Sequence, residues 1–474
     1  MLLTSNLNPM KTILIIAMAS LVMSGCSNPK ANLVSTTSKE PWIKEPEVTI
    51  ETADTAGEFD LTVSSTDKAQ VIDGFGGCFN ELGWDALQML DTAKQNEVMK
   101  GLFTPEGLSF NICRMPIGAN DYARSYYSLN DSAGDFEMKY FNIDRDKKDL
   151  VPYIKQAMHY NPQLKIWGSP WTPPSWMKLN KHYASKADPK YNDLSVTNPG
   201  ISKFTMESKY LKAYATYFVK YVRAYLNEGI NVYAIHPQNE ISASQIFPSC
   251  LWNAKELNVF IGEYLGPEFA KQKLETEIWL GTINDPSFAK MDTILSNSES
   301  AKFIKGIGYQ WAGKEAIGET HHKYPEMKLM QSENECGDGS NDWAAAQHTW
   351  GLMKHYFSNG ANSYMYWNMM LEKDGISVWG WKQNAMISIS NSGKLVYNPE
   401  YYLMKHLSHF IKQGAHLLKT GEVNALSFVN PDGEIIIILE NELKEPVVRI
   451  IKIDNKQIKV TLKPESFNTV SVPS

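Results

Sequence analysis

Eight short apolar segments, separated by stretches with helical spacing, dominate the sequence from about residue 69 onward. The intervening stretches include Ser208–Leu226 and Ala254–Leu265, in which apolar residues recur every three to four positions. Eight strand–helix alternations predict an α/β fold, a (β/α)8 TIM barrel with long loops over residues 69–405. The eight predicted strands are Gln70–Phe75, Phe110–Pro116, Leu164–Ser169, Val232–Pro237, Glu277–Thr282, Ile304–Gln310, Lys328–Ser332 and Ser363–Asn368.

The pattern changes after about residue 405, where short β-rich segments follow one another without helices between them. They are Val423–Val429, Glu434–Leu439, Val447–Ile453 and Ile458–Leu462. A turn at Pro431–Gly433 separates the first two of them. Residues 406–474 are therefore predicted to form an appended antiparallel β-sandwich. Residues 46–68 contain the alternating segment Phe59–Val63 and are predicted to add N-terminal strands to that sandwich.

The N-terminus has the layout of an export signal. Lys11 precedes an apolar run from Ile13 to Met23, which is shorter than the roughly 20 residues that a membrane-spanning helix needs. The run ends in Ser24-Gly25-Cys26, which resembles the bacterial lipoprotein box, where the cysteine is lipidated. We therefore expect a lipoprotein signal peptide over residues 1–26 and a tether over 27–45. The protein is then an exported bacterial lipoprotein of the outer membrane, cell surface or periplasm, in contact with a membrane only through Cys26; plain secretion is the alternative.

Charge and cysteine spacing exclude several classes of function. The formal net charge of −6 gives no basic face for nucleic acid. Cys78, Cys113, Cys250 and Cys336 form no CxxC pair, and no HExxH or carboxylate-cage spacing occurs. We expect buried free thiols, although pairing stays open for an exported protein, and we predict no metal site and no cofactor.

Two glutamates follow predicted strands on opposite sides of the barrel. Catalytic groups of TIM barrels emerge at the C-terminal ends of the strands, and Glu240 and Glu333 follow strands four and seven. A carboxylic acid that protonates a departing oxygen, facing a carboxylate at the anomeric carbon, is the arrangement of a glycosidase. Asn239 is placed to bond a sugar hydroxyl. Strand alternation puts Glu335 on the same face as Glu333, so spacing alone does not separate these two.

Several motifs together resemble glycoside hydrolase family 30, the family of glucosylceramidases and endo-β-1,6-glucanases. The paired strand ends Asn239-Glu240 and Ser332-Glu333 are accompanied by further matching segments. These are Asp73–Gly77, Arg114-Met115-Pro116, Ser169-Pro170-Trp171-Thr172 and Gly318-Glu319-Thr320-His321. Ile241 departs from the pattern, because many members of the family have proline directly after the acid/base residue.

The resemblance implies a role for each matching residue. Glu240 would be the acid/base and Glu333 the nucleophile, with Arg114 holding the charge of Glu333. Asp121, Trp171 and Asn239 would hold the sugar in the −1 subsite, and Trp367 would form an aromatic wall. Tyr309 and Trp311 belong to a segment similar to the β-1,6-glucanase branch and are expected to contact substrate, and Trp311 and Trp252 could supply aromatic surface beyond the −1 site. A retaining glycosidase of this type needs no metal.

The same resemblance implies a β-glucan or β-glucoside as substrate. Tyr309–Lys314 and Phe247–Trp252 are more similar to the β-1,6-glucanase branch than to the lipid-acting branch. We therefore expect an endo-β-1,6-glucanase. The alternatives are an exo-acting β-glucosidase or glucosylceramidase and, from another class, a non-catalytic surface glycan-binding protein.

Overall fold

The computed structural model describes Met1 and residues 29–54, 57–421 and 424–474. Most of the expected signal peptide, including Cys26, lies outside the described residues. Among the residues described, no helix is long and apolar enough to cross a membrane.

A closed barrel of parallel strands forms the larger domain, and the predicted TIM-barrel fold is confirmed. Each strand pairs with its sequence neighbours, and the last strand closes onto the first. In the described part of the chain the eight barrel strands are Gly74–Cys78, Ile112–Pro116, Lys165–Ser169, Val232–Ile235, Glu277–Ile283, Ile304–Gln310, Lys328–Glu333 and Ala361–Asn368.

The first predicted strand, Gln70–Phe75, is divided between two sheets. Lys68–Val71 pairs with His416–Leu418 in the smaller domain, and the barrel strand begins only at Gly74. At Gly74 (φ 150°) a side chain would lie 1.9 Å from Asn111 Oδ1, which accepts a hydrogen bond from the N–H of Phe75. A single apolar run thus supplies one strand to each domain, because the chain changes sheets at this glycine.

Helices surround the barrel and present apolar faces to it. In Ser208–Asn227 the buried residues Tyr214, Tyr217, Tyr221 and Tyr225 recur at helical spacing along one face. The α-helices after the first four barrel strands are Glu81–Gln88, Thr92–Phe103, Leu150–Tyr160, Ser208–Asn227, Ala254–Val259 and Gly266–Lys271, the last two joined by a π-helix over Phe260–Leu265. Those after the other four strands are Phe288–Leu295, Ser298–Ala301, Lys314–Lys323, Trp343–Ser358 and Pro399–Ser408.

Large side chains fill the lower half of the barrel interior. They form a separate buried cluster of Ile112, Trp167, Ala234, Trp279, Met330 and Met365, drawn from six of the strands. His236 lies above this cluster with its ring 4.3 Å from that of Trp167, and the guanidinium of Arg114 also lies over Trp167. The barrel is therefore a packed core whose polar side chains begin at its C-terminal end.

The smaller domain is a sandwich of two sheets that enclose an apolar core. Its core includes Leu33, Ile437 and Val470 from one sheet and Ile451 and Val460 from the other. The main strands of the first sheet are, in order, Lys30–Thr37, Ser466–Val472, Ile435–Asn441, Ala425–Val429, His416–Leu418 and Lys68–Val71. Those of the second sheet are Glu51–Thr52, Lys456–Leu462, Val447–Ile453 and Leu61–Val63.

The tether predicted over residues 27–45 is wrong for the part that the structure describes. Lys30–Thr37 pairs with Ser466–Val472 along six successive residues. Leu33 and Val34 are buried within the sandwich, and the ring of Trp42 packs 5.2 Å from that of His406. A composition rich in serine, threonine and lysine is compatible with a strand when its partner strand is supplied by the far end of the chain.

All four cysteines in the described residues are buried and unpaired. Burial raises the pKa of the Cys113 and Cys250 thiols to about 12, so both stay protonated at neutral pH.

Candidate active site

The ends of strands four and seven meet in one cavity at the C-terminal face of the barrel. The cavity has a volume of about 340 Å³. It is lined by Asp121, Trp171, Asn239, Glu240, Ala243, Gln245, Phe247, Asn284, Trp311, Ala312, Glu333, Trp381 and Gln383. Both glutamates singled out from the sequence therefore face the same space, together with an aspartate and three tryptophans.

Glu333 is buried, with 5% of its surface exposed, and three donors hold its carboxylate. Arg114 Nη1 lies 2.6 Å from Oε2, and Gln310 Nε2 lies 3.1 Å from the same oxygen. Trp311 Nε1 donates to Oε1 at 3.2 Å. A buried carboxylate stays charged only when it is paired and hydrogen-bonded, and these contacts meet that requirement.

Arg114 is itself fully buried and held in one position. Its Nη2 donates to Ser169 Oγ at 2.8 Å and to Asn239 Oδ1 at 2.7 Å. Its guanidinium carbon lies 4.4 Å from the ring centre of Trp171 and 5.3 Å from that of Trp367, an arrangement that stabilises a cation. The planar fork of arginine thus connects three barrel strands beneath Glu333.

Glu240 is half-buried and has an unusual backbone conformation. Its φ of 51° lies in the left-handed region, and its N–H donates to the carbonyl oxygen of Thr282 at 3.0 Å. Trp311, which also lines the cavity, has a φ of 48°. Each such residue costs about 1–3 kcal/mol and persists where the surrounding structure imposes it, often at functional sites.

Gln310 links the two glutamates. Its Nε2 lies 3.3 Å from Glu240 Oε1 and 3.1 Å from Glu333 Oε2. The same Nε2 lies 3.1 Å from Asn239 Oδ1, and Gln310 Oε1 accepts a hydrogen bond from Ser332 Oγ at 2.9 Å. This side chain is therefore fixed at both ends and holds the two carboxyl groups at a set separation.

The pKa values of the two carboxyl groups are perturbed for different reasons. Burial, followed by the nearby Glu333 carboxylate, raises the pKa of Glu240 to about 8. Burial also raises the pKa of Glu333, but Arg114, Trp311 and Gln310 oppose that rise. Because Glu333 has three donors and Glu240 has one, Glu333 is the member of the pair that ionises first. The site therefore favours one protonated and one charged carboxyl group near neutral pH.

Asp121 lies in the same cavity, where the structure gives one of its carboxyl oxygens, Oδ1, no hydrogen-bond partner. Burial and then the charge of Glu333 raise its pKa well above the usual range. A buried carboxyl oxygen with an open hydrogen-bonding position is suited to bind a ligand hydroxyl.

Glu335, which strand spacing placed on the face of Glu333, is directed elsewhere. The seventh strand ends at Glu333, so strand alternation stops there. Glu335 accepts from Lys314 Nζ at 2.8 Å and lies 2.9 Å from His348 Nε2. The hydrogen bonds with His348 and Lys314 hold the pKa of Glu335 below its usual value, and the residue does not line the cavity.

Two of the aromatic residues expected at the substrate are placed differently. Tyr309 points outward from its strand, and its hydroxyl bonds to Thr320 on a surrounding helix. The inward position belongs to Gln310, which the sequence did not single out although strand alternation could have done so. Trp252 is 4% exposed, stacks on Phe204 and donates to Gln238 Oε1, so it offers no open surface.

The remaining predicted residues surround the glutamates. Asp121, Trp171, Asn239 and Trp311 line the cavity, whereas Trp367 lies behind Trp171, with ring centres 5.2 Å apart. Gln245, Phe247, Trp381 and Gln383 also line it and were missed, because they stand on long loops without strand or helix periodicity.

Comparisons with known proteins agree with this architecture. Residues 72–411 match the glycosyl hydrolase family 30 TIM-barrel domain, and residues 414–470 match the family's β-sandwich domain. Putative glucosylceramidase 1 of Caenorhabditis elegans is 30% identical over 415 residues, covering 81% of this chain and 76% of the relative. Endo-1,6-beta-D-glucanase neg1 of Aspergillus fumigatus is 28% identical over 403 residues, covering 80% of this chain and 81% of the relative.

Solved structures share the fold. SrfJ from Salmonella typhimurium superposes with a TM-score of 0.85 at 24% identity, and the endo-β1,6-glucanase BT3312 with 0.79 at 23%. In both cases the match covers 94% of this chain and 100% of the other. The two domain matches, which together span most of the chain, and the carboxyl pair in the barrel mouth establish that the protein belongs to glycosyl hydrolase family 30 and is a hydrolase of β-glycosides.

Proposed function

We propose that the protein is a retaining glycoside hydrolase that acts as an endo-β-1,6-glucanase. The bridge of Gln310 between the glutamates carries the proposal of retention. Because Gln310 Nε2 lies 3.3 Å from Glu240 Oε1 and 3.1 Å from Glu333 Oε2, these oxygens are at most about 6.4 Å apart. Inverting enzymes separate their carboxyl groups by roughly 6.5–9.5 Å, whereas retaining enzymes need about 5–5.5 Å.

In the first step Glu333 is the nucleophile. Its carboxylate forms a bond to the anomeric carbon while the glycosidic C–O bond breaks, and Glu240 gives its proton to the departing oxygen. The raised pKa of Glu240, about 8, keeps that proton available at neutral pH. Arg114 holds the Glu333 carboxylate in place for attack.

In the second step water hydrolyses the glycosyl-enzyme. Glu240, now ionised, takes a proton from the water while the water oxygen bonds to the anomeric carbon, and Glu333 leaves as a carboxylate. Two displacements restore the original anomeric configuration. Asn239 Oδ1 accepts from Arg114, Thr282 and Gln310, which leaves its Nδ2 to donate to a sugar hydroxyl beside the reacting carbon.

The relatives support a β-glucan as substrate but also supply a second candidate. Endo-1,6-beta-D-glucanases of Aspergillus fumigatus and Trichoderma harzianum are 28% and 27% identical to this chain. The cavity is open to solvent at Trp381, as a polymer-cleaving enzyme requires. An exo-acting glucosylceramidase is the second candidate, because the relative that is 30% identical is named a putative glucosylceramidase.

Product profiling separates these activities. The protein is incubated with linear β-1,6-glucan, glucosylceramide and an aryl β-glucoside, and the products are followed by chromatography and by NMR of the fresh anomer. A ladder of β-anomeric oligosaccharides from the glucan is expected. Glucose alone, released from glucosylceramide or the aryl glucoside while the glucan stays intact, contradicts endo action; an initial α-anomer contradicts retention.

We also propose that the protein is exported and carries a lipid on Cys26. The first described strand begins at Lys30, so such a lipid would hold the sandwich domain close to the membrane surface. Cys26→Ser is expected to abolish incorporation of radiolabelled palmitate and to release the protein from the membrane fraction. Unchanged membrane association of this variant would contradict the proposal.

A further inference from the structure

A short hairpin at the mouth of the cavity presents an exposed tryptophan. Residues 375–383 reverse direction at Ser377–Gly380 and bring Trp381 to the cavity lip, where it is 39% exposed. Val378, at the turn, is also exposed, whereas Trp379 is buried. Exposure of a large aromatic side chain at the edge of a binding cavity is typical of a ligand-contacting surface.

The hairpin is held firmly from below. Tyr122 donates through its hydroxyl to the carbonyl oxygens of Gly375, at 2.8 Å, and Trp381, at 3.3 Å. Within the hairpin, Ser377 N–H donates to the Trp381 carbonyl at 2.7 Å, and Ser377 Oγ accepts from the Trp381 N–H at 3.1 Å. Trp379 packs against Tyr126 with ring centres 5.2 Å apart. The indole of Trp381 is therefore displayed from a rigid support, so a bound ligand need not order it.

Trp381 faces a residue that follows Glu240 on the same loop. The ring of Phe247 lies 6.2 Å from that of Trp381 at an angle of 62°. Ala243, Gln245 and Phe247 all line the cavity directly after Glu240. Phe247 is nearly buried, so it supports the indole while Trp381 supplies the open face.

Depth within the cavity assigns this aromatic pair to one side of the scissile bond. The reacting sugar must lie against Glu333 at the floor, where only 5% of that residue is exposed. The departing oxygen must lie within reach of Glu240, which is the more exposed of the two carboxyl groups. A leaving group that extends outward from Glu240 would meet Phe247 and the exposed Trp381, which line the same cavity.

We propose that Trp381, supported by Phe247, forms a subsite that stacks on the pyranose ring of the leaving-group sugar. The proposal rests on the proposed glycosidase function of the same cavity. It implies that the hairpin 375–383 determines which leaving groups the enzyme accepts. An indole face suits the apolar face of a β-linked glucose unit, and loss of an aromatic side chain that a bound ligand covers weakens binding by roughly tenfold or more.

The test compares substrates that reach the subsite with one that does not. A β-1,6-linked glucotriose occupies it, whereas β-glucosyl fluoride, whose leaving group is a single atom, does not. Trp381→Ala is expected to lower kcat/KM for the trisaccharide by about tenfold and to leave that for the fluoride nearly unchanged. Trp381→Phe should recover most of the loss, and Tyr140→Ala, at an exposed aromatic residue that does not line the cavity, should change neither.

Two results overturn the subsite: equal losses on both substrates in Trp381→Ala, or no loss on either. Failure of the wild-type protein to cleave the trisaccharide, while it cleaves the fluoride, instead refutes the β-1,6 linkage in the proposed function.

A second measurement tests the subsite independently of the linkage cleaved. The enzyme is trapped with 2-deoxy-2-fluoro-β-glucosyl fluoride, and the return of activity is followed with increasing methyl β-glucoside as acceptor. Saturable acceleration in the wild type that is weakened about tenfold in Trp381→Ala supports the subsite. Identical acceptor dependence in both proteins refutes it, whereas failure to trap any glycosyl-enzyme refutes the retaining mechanism.

Discussion

Replacement of Gln310 by methionine tests whether this residue, absent from the sequence-based prediction, sets the geometry and charge of the carboxyl pair. Methionine has a similar length and leaves the barrel packing intact but cannot donate a hydrogen bond. The amide Nε2 lies within 3.3 Å of Glu240, Glu333 and Asn239 but has only two hydrogens, so at most two full-strength bonds from this group are lost. The bond that Gln310 Oε1 accepts from Ser332 Oγ is lost as well.

The expected loss follows from those contacts. Hydrogen bonds to charged groups contribute about 1.5–3 kcal/mol each and neutral ones about 1 kcal/mol. Loss of about 2–4 kcal/mol of transition-state stabilisation lowers kcat/KM by about 30- to 1,000-fold. Because Gln310 lowers the pKa values of both Glu240 and Glu333, both limbs of the pH profile should also move to higher pH.

The assay measures kcat/KM for an aryl β-glucoside across about six pH units, from pH 4 to 10, which brackets the pKa values of both carboxyl groups. Thermal unfolding of the variant checks that the fold is intact. Tyr309→Phe is the matched control, because it alters the adjacent residue but removes only a hydroxyl bonded to Thr320, outside the cavity. Activity of Gln310→Met within threefold of wild type, or a profile whose limbs do not move, would refute the reasoning. Loss of activity in Tyr309→Phe would refute the placement of Tyr309.

Three further predictions concern the carboxyl groups and the cation beneath them. Glu333→Gln should abolish turnover while glycan binding persists. Glu335→Gln changes only a contact with Lys314 and His348 outside the cavity and should stay active. An active Glu333→Gln beside an inactive Glu335→Gln would exchange their roles. The kcat/KM profile should be bell-shaped. Activity should be lost as pH rises through about 8, because Glu240 gives up the proton that it must donate, and at low pH, because Glu333 becomes protonated. In Glu240→Gln the alkaline limb of the profile should disappear for substrates with good leaving groups. Arg114→Lys keeps the positive charge but loses the planar guanidinium that joins Ser169, Asn239 and Glu333. Disruption of a buried ion pair costs about 3 kcal/mol, so kcat should fall more than 100-fold. A fall of less than tenfold would contradict the positioning role.

The sequence by itself determined the architecture of the barrel and the position of its chemistry. Alternation of short apolar runs with helical stretches is a local property, and seven of the eight predicted strands overlap barrel strands closely. Catalytic groups follow strand ends in this fold, so Glu240 and Glu333 could be selected without coordinates. Asn239 was found in the same way, beside a strand end, whereas Arg114 was identified through the family resemblance.

Tertiary structure decided the conformation and the contacts of those residues whose partners are distant in the chain. Lys30–Thr37 forms a strand because Ser466–Val472 lies beside it, and no local pattern reports that pairing. Glu335 is directed away from Glu333 because the strand ends at Glu333 and because Lys314 and His348 contact the Glu335 carboxylate. Trp252 was removed from the site because Phe204 covers it.

The loops around the cavity show the same division most clearly. Trp381 and Gln383 lie more than 130 residues from Glu240 in the chain, yet they share a cavity with it. Periodicity follows from the geometry of hydrogen-bonded strands and helices, so it identifies which residues of a strand face inward. A loop has no such repeat, and the position of its side chains is fixed only by the packing of distant segments against one another. The two carboxyl groups in the cavity were therefore predictable from the sequence, whereas the loop residues Trp381 and Gln383, which line the same cavity, were not.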